Sequence, residues 1–182
     1  PQYPVVGGFS QIPDNQELKK LLPELEAARE KIFPLMDVYY NSKIDYTRKT
    51  NFVALVNSEF NFLDGDIKSS HGLHIKEEKY SEHLKQTVLP YSTAVGYKFE
   101  GDTYMVGALS RINLGKNTLH KNTQKDAKKY LSIFPSNNIF HNNLAQAIEI
   151  LHSIDHSIEI IKKANFKKEA PIKFQIRQRK GT

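Results

Sequence analysis

Apolar residues recur at helical spacing in two long stretches of the chain and at strand spacing in several short ones. Leu18, Leu21, Leu22, Leu25, Ala28 and Ile32 fall on one side of a helix. Asp14 and Asn15 precede it as caps and Glu17 lies in its first turn. Pro23 and Pro34 each lack an amide donor and crowd the preceding turn, so a helix reaching about Tyr40 is predicted to break or kink near both. The second long pattern, Leu144, Ala147, Ile148, Leu151, Ile154, Ile158 and Ile161, predicts the longest helix, over residues 139–164. Lys162 and Lys163 suit its C-terminal dipole.

Between these helices the period shortens. Residues 52–56 form an apolar run, residues 59–63 alternate, and Asp64-Gly65 predicts a two-residue hairpin turn into residues 66–69. Leu73, His74 and Ile75 read as a further strand. Residues 77–86 read as a polar helix stopped by Pro90. Residues 96–113 combine Gly96, Gly101 and Gly107, suited to turns and close packing, with Tyr104, Val106 and Leu109 as apolar anchors. Residues 114–117 read as a loop, and Asn122 or Thr123 caps a short basic helix to about Ile133. Pro135 and its neighbours then break the chain before the long helix. Gly7-Gly8 marks a turn near the start, and residues 171–177 alternate weakly as an edge strand. The whole predicts a single α+β domain over residues 1–182: a kinked N-terminal helix, a small, mostly antiparallel sheet and a long C-terminal helix.

Charge adds an asymmetry. Residues 1–90 carry 11 basic and 13 acidic side chains, whereas residues 91–182 carry 15 and 7, giving net charges of −2 and +8. A basic half suits a polyanion, a solvated surface or an acidic subunit. The basic residues are not set in a nucleic-acid recognition motif, so a basic nucleic-acid-binding module is kept only as an alternative. No apolar run is long enough for a membrane span, and the N-terminus lacks the pattern of a signal peptide. Cysteine is absent, which removes disulfides, thiolate metal sites and thiol nucleophiles from these residues. The start at Pro1 and the end at Thr182, without a terminating pattern, are expected to be boundaries of a longer protein.

Candidate chemistry is sparse. His152 and His156 lie four apart on the long helix, with His141 earlier on it; that spacing can bring imidazoles to one metal, but no zinc-protease motif is present. Packing on the flank of the apolar stripe is the reading preferred here. Asp64, Gly65 and Asp66 are similar to a calcium loop but lack its ligand spacing, and a hairpin is the reading preferred; His71 and His74 lie near the two aspartates and could cluster with them, but read as surface loop residues. Glu77 and Glu78 suit a helix start. Ser92, Ser110 and Ser136 lack a nucleophile elbow. No catalytic, cofactor-binding or metal-ligating residue is therefore assigned.

Ordered motifs carry a resemblance. Leu89-Pro90-Tyr91-Ser92, a spacer, and Tyr104-Met105-Val106-Gly107-Ala108-Leu109-Ser110-Arg111-Ile112-Asn113 are similar to a Pro-Tyr-Ser element followed by Tyr-x-Val-Gly-Pro-Leu-Ala-Arg-Leu-Asn in the large subunit of NiFe hydrogenases. Ala108 and Ser110 depart from that pattern. Val5-Val6-Gly7-Gly8-Phe9-Ser10 resembles a His-Pro-x-x-x-x-Pro-Gly-Gly segment of the family, and Phe140-His141-Asn142-Asn143-Leu144-Ala145-Gln146-Ala147-Ile148-Glu149-Ile150-Leu151-His152 resembles its Asn-x-x-Ala-Arg-Ala-Ile-Glu-x-x-His helix. Arg179-Lys180-Gly181-Thr182 arrives where the family runs into a Gly-x-Glu-Ala-Pro-Arg-Gly segment.

The resemblance implies the central portion of a large subunit from the cytoplasmic, multisubunit class that uses nicotinamide or deazaflavin partners. The parent would oxidise hydrogen reversibly at a NiFe centre, beside an iron–sulfur small subunit. That centre is held in the family by two cysteine pairs, one near each end of the subunit. This chain has neither pair, so the portion alone is expected to be inactive, to hold no cofactor and to expose apolar surface that favours self-association. The alternative within the superfamily is a cysteine-free subunit that is structural or serves quinone-linked electron transfer. Arg111 has no implied chemical role and is expected to pair with a carboxylate or with backbone carbonyls.

Overall fold

A computed structural model describes residues 12–167 and, as paired backbone, the two stretches Pro4–Val5 (β1) and Gly8–Phe9 (β2). Those two stretches pair antiparallel, Val5 opposite Gly8, so Gly8 of the predicted turn is already strand, and Gly7 lies outside the described residues. The predicted edge strand at 171–177 lies outside the described residues.

The first helical region is two helices, α1 (Asn15–Lys20) and α2 (Leu22–Tyr40). Asp14 caps α1 as predicted, its carboxylate accepting from the amides of Gln16 and Glu17 at 2.8 and 2.9 Å. The break falls at Leu21, two residues before Pro23, which stands in the first turn of α2 where a missing amide costs nothing. At Pro34 the helix is not broken. The helix runs through it, and Met36 beyond it is fully buried, so tertiary packing holds the segment helical where the local signal argues for a break.

The sheet is β5-β4-β3-β8, made from β3 (Asn51–Val56), β4 (Asp66–Ser69), β5 (His74–Ile75) and β8 (Tyr104–Met105). Its β3–β4 and β4–β5 pairs are antiparallel and β3–β8 is parallel. The hairpin partner of β4 is β3, in the register Val56↔Asp66, not residues 59–63. Those residues leave the sheet because Phe60 is drawn into the helical core, 8% exposed, with its amide bonded to the Thr118 carbonyl. Asp64-Gly65 thus closes a longer loop. Gly65 has φ +146°, and a Cβ there would stand 2.8 Å from the Val56 carbonyl oxygen.

Residues 77–86 are not one helix. A 3₁₀ turn at Glu77–Lys79 leads into α3 (Tyr80–His83), and β6 (Leu84–Thr87) then pairs antiparallel with β7 (Gly96–Phe99). Pairing with β7 overrides the helical propensity of this polar stretch. Of the anchors in residues 96–113, Leu109 is fully buried but Val106 is 59% exposed.

After β8 the chain turns at Gly107, φ +101°, into α4 (Ala108–Gly115), where the sequence had predicted a loop from residue 114. The short basic helix is split into α5 (Lys121–Asp126) and α6 (Lys128–Leu131). Its cap is His120 and not Asn122 or Thr123, because the Thr123 hydroxyl is spent on a buried carboxylate. The long helix is α7 (His141–Lys163). It is central: Leu144, Ala147, Ile148 and Leu151 are buried against Met36 of α2, Leu109 and Ile112 of α4 and Phe60, whereas Ile154 and Ile158 of the predicted stripe are only partly buried. The architecture is the predicted α+β arrangement.

Gly65→Ala is expected to cost roughly 2 kcal/mol or more, because it adds a backbone clash to an unfavourable φ. Gly107→Ala, where a Cβ meets nothing within 4 Å, should cost less than that, roughly 1–2 kcal/mol from backbone strain alone. Chemical denaturation of the two variants checks this; equal losses would show that the clash at Gly65 is relieved by loop movement.

Candidate functional site

Helix α7 carries two acids on faces that pack inward, Glu149 at 8% and Asp155 at 2% exposure. An ionised carboxylate in such a place requires a paired cation. Each acid takes an arginine from a different element. Arg111 of α4 donates through Nε and Nη2 to the two oxygens of Glu149 at 2.6 and 2.9 Å, with its guanidinium 5.1 Å over the Phe62 ring. Arg29 of α2 donates to Asp155 at 2.7 Å and to Asp126 at 2.6 Å. The second oxygen of Asp155 accepts the buried Thr123 hydroxyl at 2.6 Å.

The first pair joins the motif stretches physically. Arg111 and Glu149 come from two of them, and four more bonds tie α4 to α7, to the turn before it and to β8. The Leu109 amide, an orphan at the start of α4, donates to Asn142 Oδ1 at 3.1 Å. Asn113 brackets Ser136 by donating to its carbonyl at 2.9 Å and accepting from its amide at 2.8 Å. Ser110 donates to the Met105 carbonyl at 2.6 Å, which fixes the turn between β8 and α4. Arg111 therefore has a structural part of the predicted kind, with the carboxylate as its partner.

The second pair borders a cleft of about 780 Å³ between the C-terminal half of α7, the start of α5 and the loop around Phe60. His120, His152, His156, Asp155 and Glu159 line it. His152 is 5% exposed, edge-on to Phe60, and its Nδ1 accepts the His120 amide at 3.0 Å. Burial, with His156 and His120 nearby, lowers its pKa to about 4, so the ring is neutral with its proton on Nε2. The His120 ring accepts from the Asn122 amide through Nδ1 at 3.2 Å and donates through Nε2 to Glu159 at 2.9 Å. His152 and His156 have ring centroids 5.8 Å apart, but His152 is committed to the loop and His156 points outward. Among the described residues, no group of three His, Asp or Glu side chains could hold a metal ion.

The other sequence candidates are structural in their surroundings. His74 and Lys76 both meet Asp66, at 2.9 and 2.8 Å, on the exposed edge of the sheet, and Asp64 is not part of that cluster. Lys76, and then His74, hold the Asp66 carboxyl below its ordinary range. His71 follows Ser69, whose hydroxyl accepts its amide at 3.1 Å. Glu77 and Glu78 begin the 3₁₀ turn. Ser92 accepts the Ala94 amide in a loop. Ser136 and His141 approach to 2.7 Å, a nucleophile–base distance, but the Ser136 hydroxyl also accepts the Asn138 amide. Its backbone is bracketed by Asn113, so this pair closes the turn before α7. Burial lowers the His141 pKa.

Sequence reasoning passed over Arg29, His120, Thr123, Glu149 as a buried acid, and Asp155. One signal was available. Asp155 follows Leu144, Ile148 and Leu151 at helical spacing, and an acid in the middle of an apolar stripe calls for a buried cation.

No family model matches the chain. Two curated proteins of Pyrococcus furiosus are similar to it. Sulfhydrogenase 1 subunit alpha is 29% identical over 168 residues, covering 88% of this chain and 38% of its own length. Sulfhydrogenase 2 subunit alpha is 23% identical over 155 residues, covering 85% and 36%. The chain thus spans well under half the length of the curated relatives it matches. Among solved structures, a chain of a NiFeSe hydrogenase variant from Desulfovibrio vulgaris Hildenborough superposes with a TM-score of 0.57 at 16% identity, over 92% of this chain and 45% of that one. Over nearly its whole length this chain is therefore similar in sequence to part of two sulfhydrogenase alpha subunits and shares the fold of part of a NiFeSe hydrogenase chain.

Two outcomes follow from the buried pairs. Arg111→Ala is expected to destabilise the protein by about 2 kcal/mol, because Glu149 is left without a cation, and Arg111→Met with Glu149→Met should recover most of that loss. A double-mutant cycle by denaturation measures it. The unfolded chain protonates His152 near pH 6.5 and the folded chain near 4. Stability from its neutral form is complete above about 6.5 and falls as the pH drops toward 4, by up to about 3 kcal/mol. His152→Asn keeps an acceptor for the His120 amide and should remove that part of the pH slope.

Proposed function

We propose that this chain is the central scaffold of the large subunit of a NiFe hydrogenase, whose complete assembly oxidises and evolves molecular hydrogen. The observation that carries the reading is the junction of α4 with α7. The residues that supply the resemblance, Leu109, Arg111 and Asn113 on one side and Asn142 and Glu149 on the other, meet there: the Leu109 amide donates to Asn142, Arg111 pairs with Glu149, and Asn113 bonds Ser136 in the turn between them. They do so in a chain similar in sequence to two sulfhydrogenase alpha subunits.

The residues present do not fit a NiFe centre. Such a centre needs soft thiolate donors, the sequence contains no cysteine, and the described residues offer no alternative cluster. The metal, and every step that occurs on it, therefore belong to polypeptide beyond these residues, and this portion alone is inactive. Its own contribution is positional. Two arginine–carboxylate pairs and a tightly packed α7 form a rigid frame from which flanking segments can be held.

Within this reading the parent is a cytoplasmic enzyme of the nicotinamide- or deazaflavin-linked class that works with an iron–sulfur small subunit. Among the described residues no helix is long and apolar enough to cross a membrane. A second reading, a subunit without metal that serves structurally or in quinone-linked electron transfer, draws on the same absence of cysteine.

The test compares two proteins. The complete subunit, produced with its small subunit, is expected to reduce a viologen dye with hydrogen and to contain cysteine pairs on both sides of the present residues. The isolated 182-residue chain is expected to show no such activity and no stoichiometric nickel by elemental analysis. Stoichiometric nickel on the isolated chain would overturn the scaffold assignment. A complete subunit without the cysteine pairs would replace the hydrogenase reading with the metal-free one.

A further inference from the structure

The start of α5 is held by two imidazole acceptors in series. The His120 amide donates to His152 Nδ1 of α7 at 3.0 Å, and the Asn122 amide donates to His120 Nδ1 at 3.2 Å. Amides at a helix start are ordinarily met by a hydroxyl, a side-chain amide or a carboxylate, which still accept in mild acid. An imidazole nitrogen accepts only while it carries no proton. A proton on His152 Nδ1 sets two N–H donors against each other and puts charge on a ring that is 5% exposed.

The charged groups around that ring do not offset the charge. On α7, Asp155 is bonded to Arg29 of α2, and Glu159 to Lys163 and His120, so each carboxylate already has its partners. Lys162 of the same helix reaches Glu26. His156 lies 5.8 Å from His152, ring to ring, and His120 and Lys121 face the cleft from the start of α5. Glu59, on the loop after β3, is the remaining acid lining the cleft and is exposed to water. Burial first, and then His156 and His120, lower the His152 pKa to about 4.

The other ties decide what moves. Thr123 bonds Asp155, and Arg29 bonds both Asp155 and Asp126, so α5 from Thr123 onward is anchored to α7 and α2 without a histidine. Before Thr123, the polar ties of residues 117–122 to α7 run through His120 and His152. The loop around Phe60 goes with this segment, because the Phe60 amide donates to the Thr118 carbonyl and the Phe60 ring sits edge-on to His152. Gln124 tethers the segment to α5 through the carbonyls of Asn117 and Leu119 at 3.0 and 2.6 Å. Leu119, 3% exposed, and Phe60, 8%, are the apolar groups that its release uncovers, and their burial keeps it closed at neutral pH.

We propose that His152 and His120 form an acid-sensitive latch: protonation of His152 releases residues 117–122 and the Phe60 loop from α7, opening the cleft while the core of α2, α4 and α7 stays folded. The latch goes beyond the hydrogenase reading and does not depend on it. Once the segment is released, His152 meets water and takes up a proton near its ordinary 6.5. Opening therefore becomes easier as the pH falls from about 6.5 toward 4 and gains nothing further below that.

Hydrogen–deuterium exchange of the complete subunit, read by mass spectrometry at about pH 7 and about pH 4.5 with labelling times scaled to the intrinsic rates, tests the proposal. Peptides covering residues 117–122 and Phe60 are expected to lose protection at least about tenfold more than peptides from α2 and from residues 144–151 of α7. His152→Asn, which keeps an acceptor but does not titrate, should hold the protection of residues 117–122 level across the same range. An equal loss of protection in all these peptides overturns the latch, and so does a local loss that persists in the folded His152→Asn variant. Should that variant not fold, the comparison among peptides of the unaltered subunit decides alone.

Discussion

Two carboxylates on the inward side of α7 set the terms for the rest of the fold. Glu149 and Asp155 are placed where an unpaired charge would cost more than any single apolar contact on that helix returns. Their partners cannot come from α7 itself, so α4 must present Arg111 and α2 must present Arg29. That requirement orients both helices against α7 and carries the sheet with them, because α4 follows directly from β8 through the turn at Gly107. The apolar core around Met36, Leu109, Ile112 and Leu151 supplies most of the driving force, and the ion pairs select one arrangement of it.

The polar network beside Asp155 has the composition of an active site and the connectivity of a structural clasp. His120, His152 and Glu159 face a roomy cleft, yet His152 binds the loop through its acceptor nitrogen and His120 spends both ring nitrogens on neighbours. What they accomplish is to tie the start of α5 and the Phe60 loop to α7. In the hydrogenase reading this suits a frame whose chemistry is supplied by other polypeptide.

Several disagreements between pattern and structure share one cause. Residues 59–63 alternate like a strand, but Phe60 is worth more in the helical core than in the sheet, so β4 pairs with β3 instead. Residues 77–86 are polar and helix-forming, but β7 offers a partner for Leu84–Thr87. Pro34 argues for a break, yet α2 continues because Met36 must reach the core. In each case a preference of about 1 kcal/mol or a few was outweighed by a contact distant in sequence.

Local chemistry was enough to specify the cap at Asp14, the break before Pro23, the extent of α7 and most of its buried stripe, because each depends on residues within a few turns of one another. It was also enough to assign an α+β class, and the order of motifs along the chain was enough to identify a hydrogenase resemblance. The partners of Glu149 and Asp155, the strand that receives β4 and the cap of α5 depend on residues brought together from far apart. Arg29 and Asp155 are separated by 126 positions, and Arg111 and Glu149 by 38. Nothing local distinguishes those arginines from solvated ones. Only the packing of three helices around one apolar stripe decides which charges are buried, and therefore which must meet.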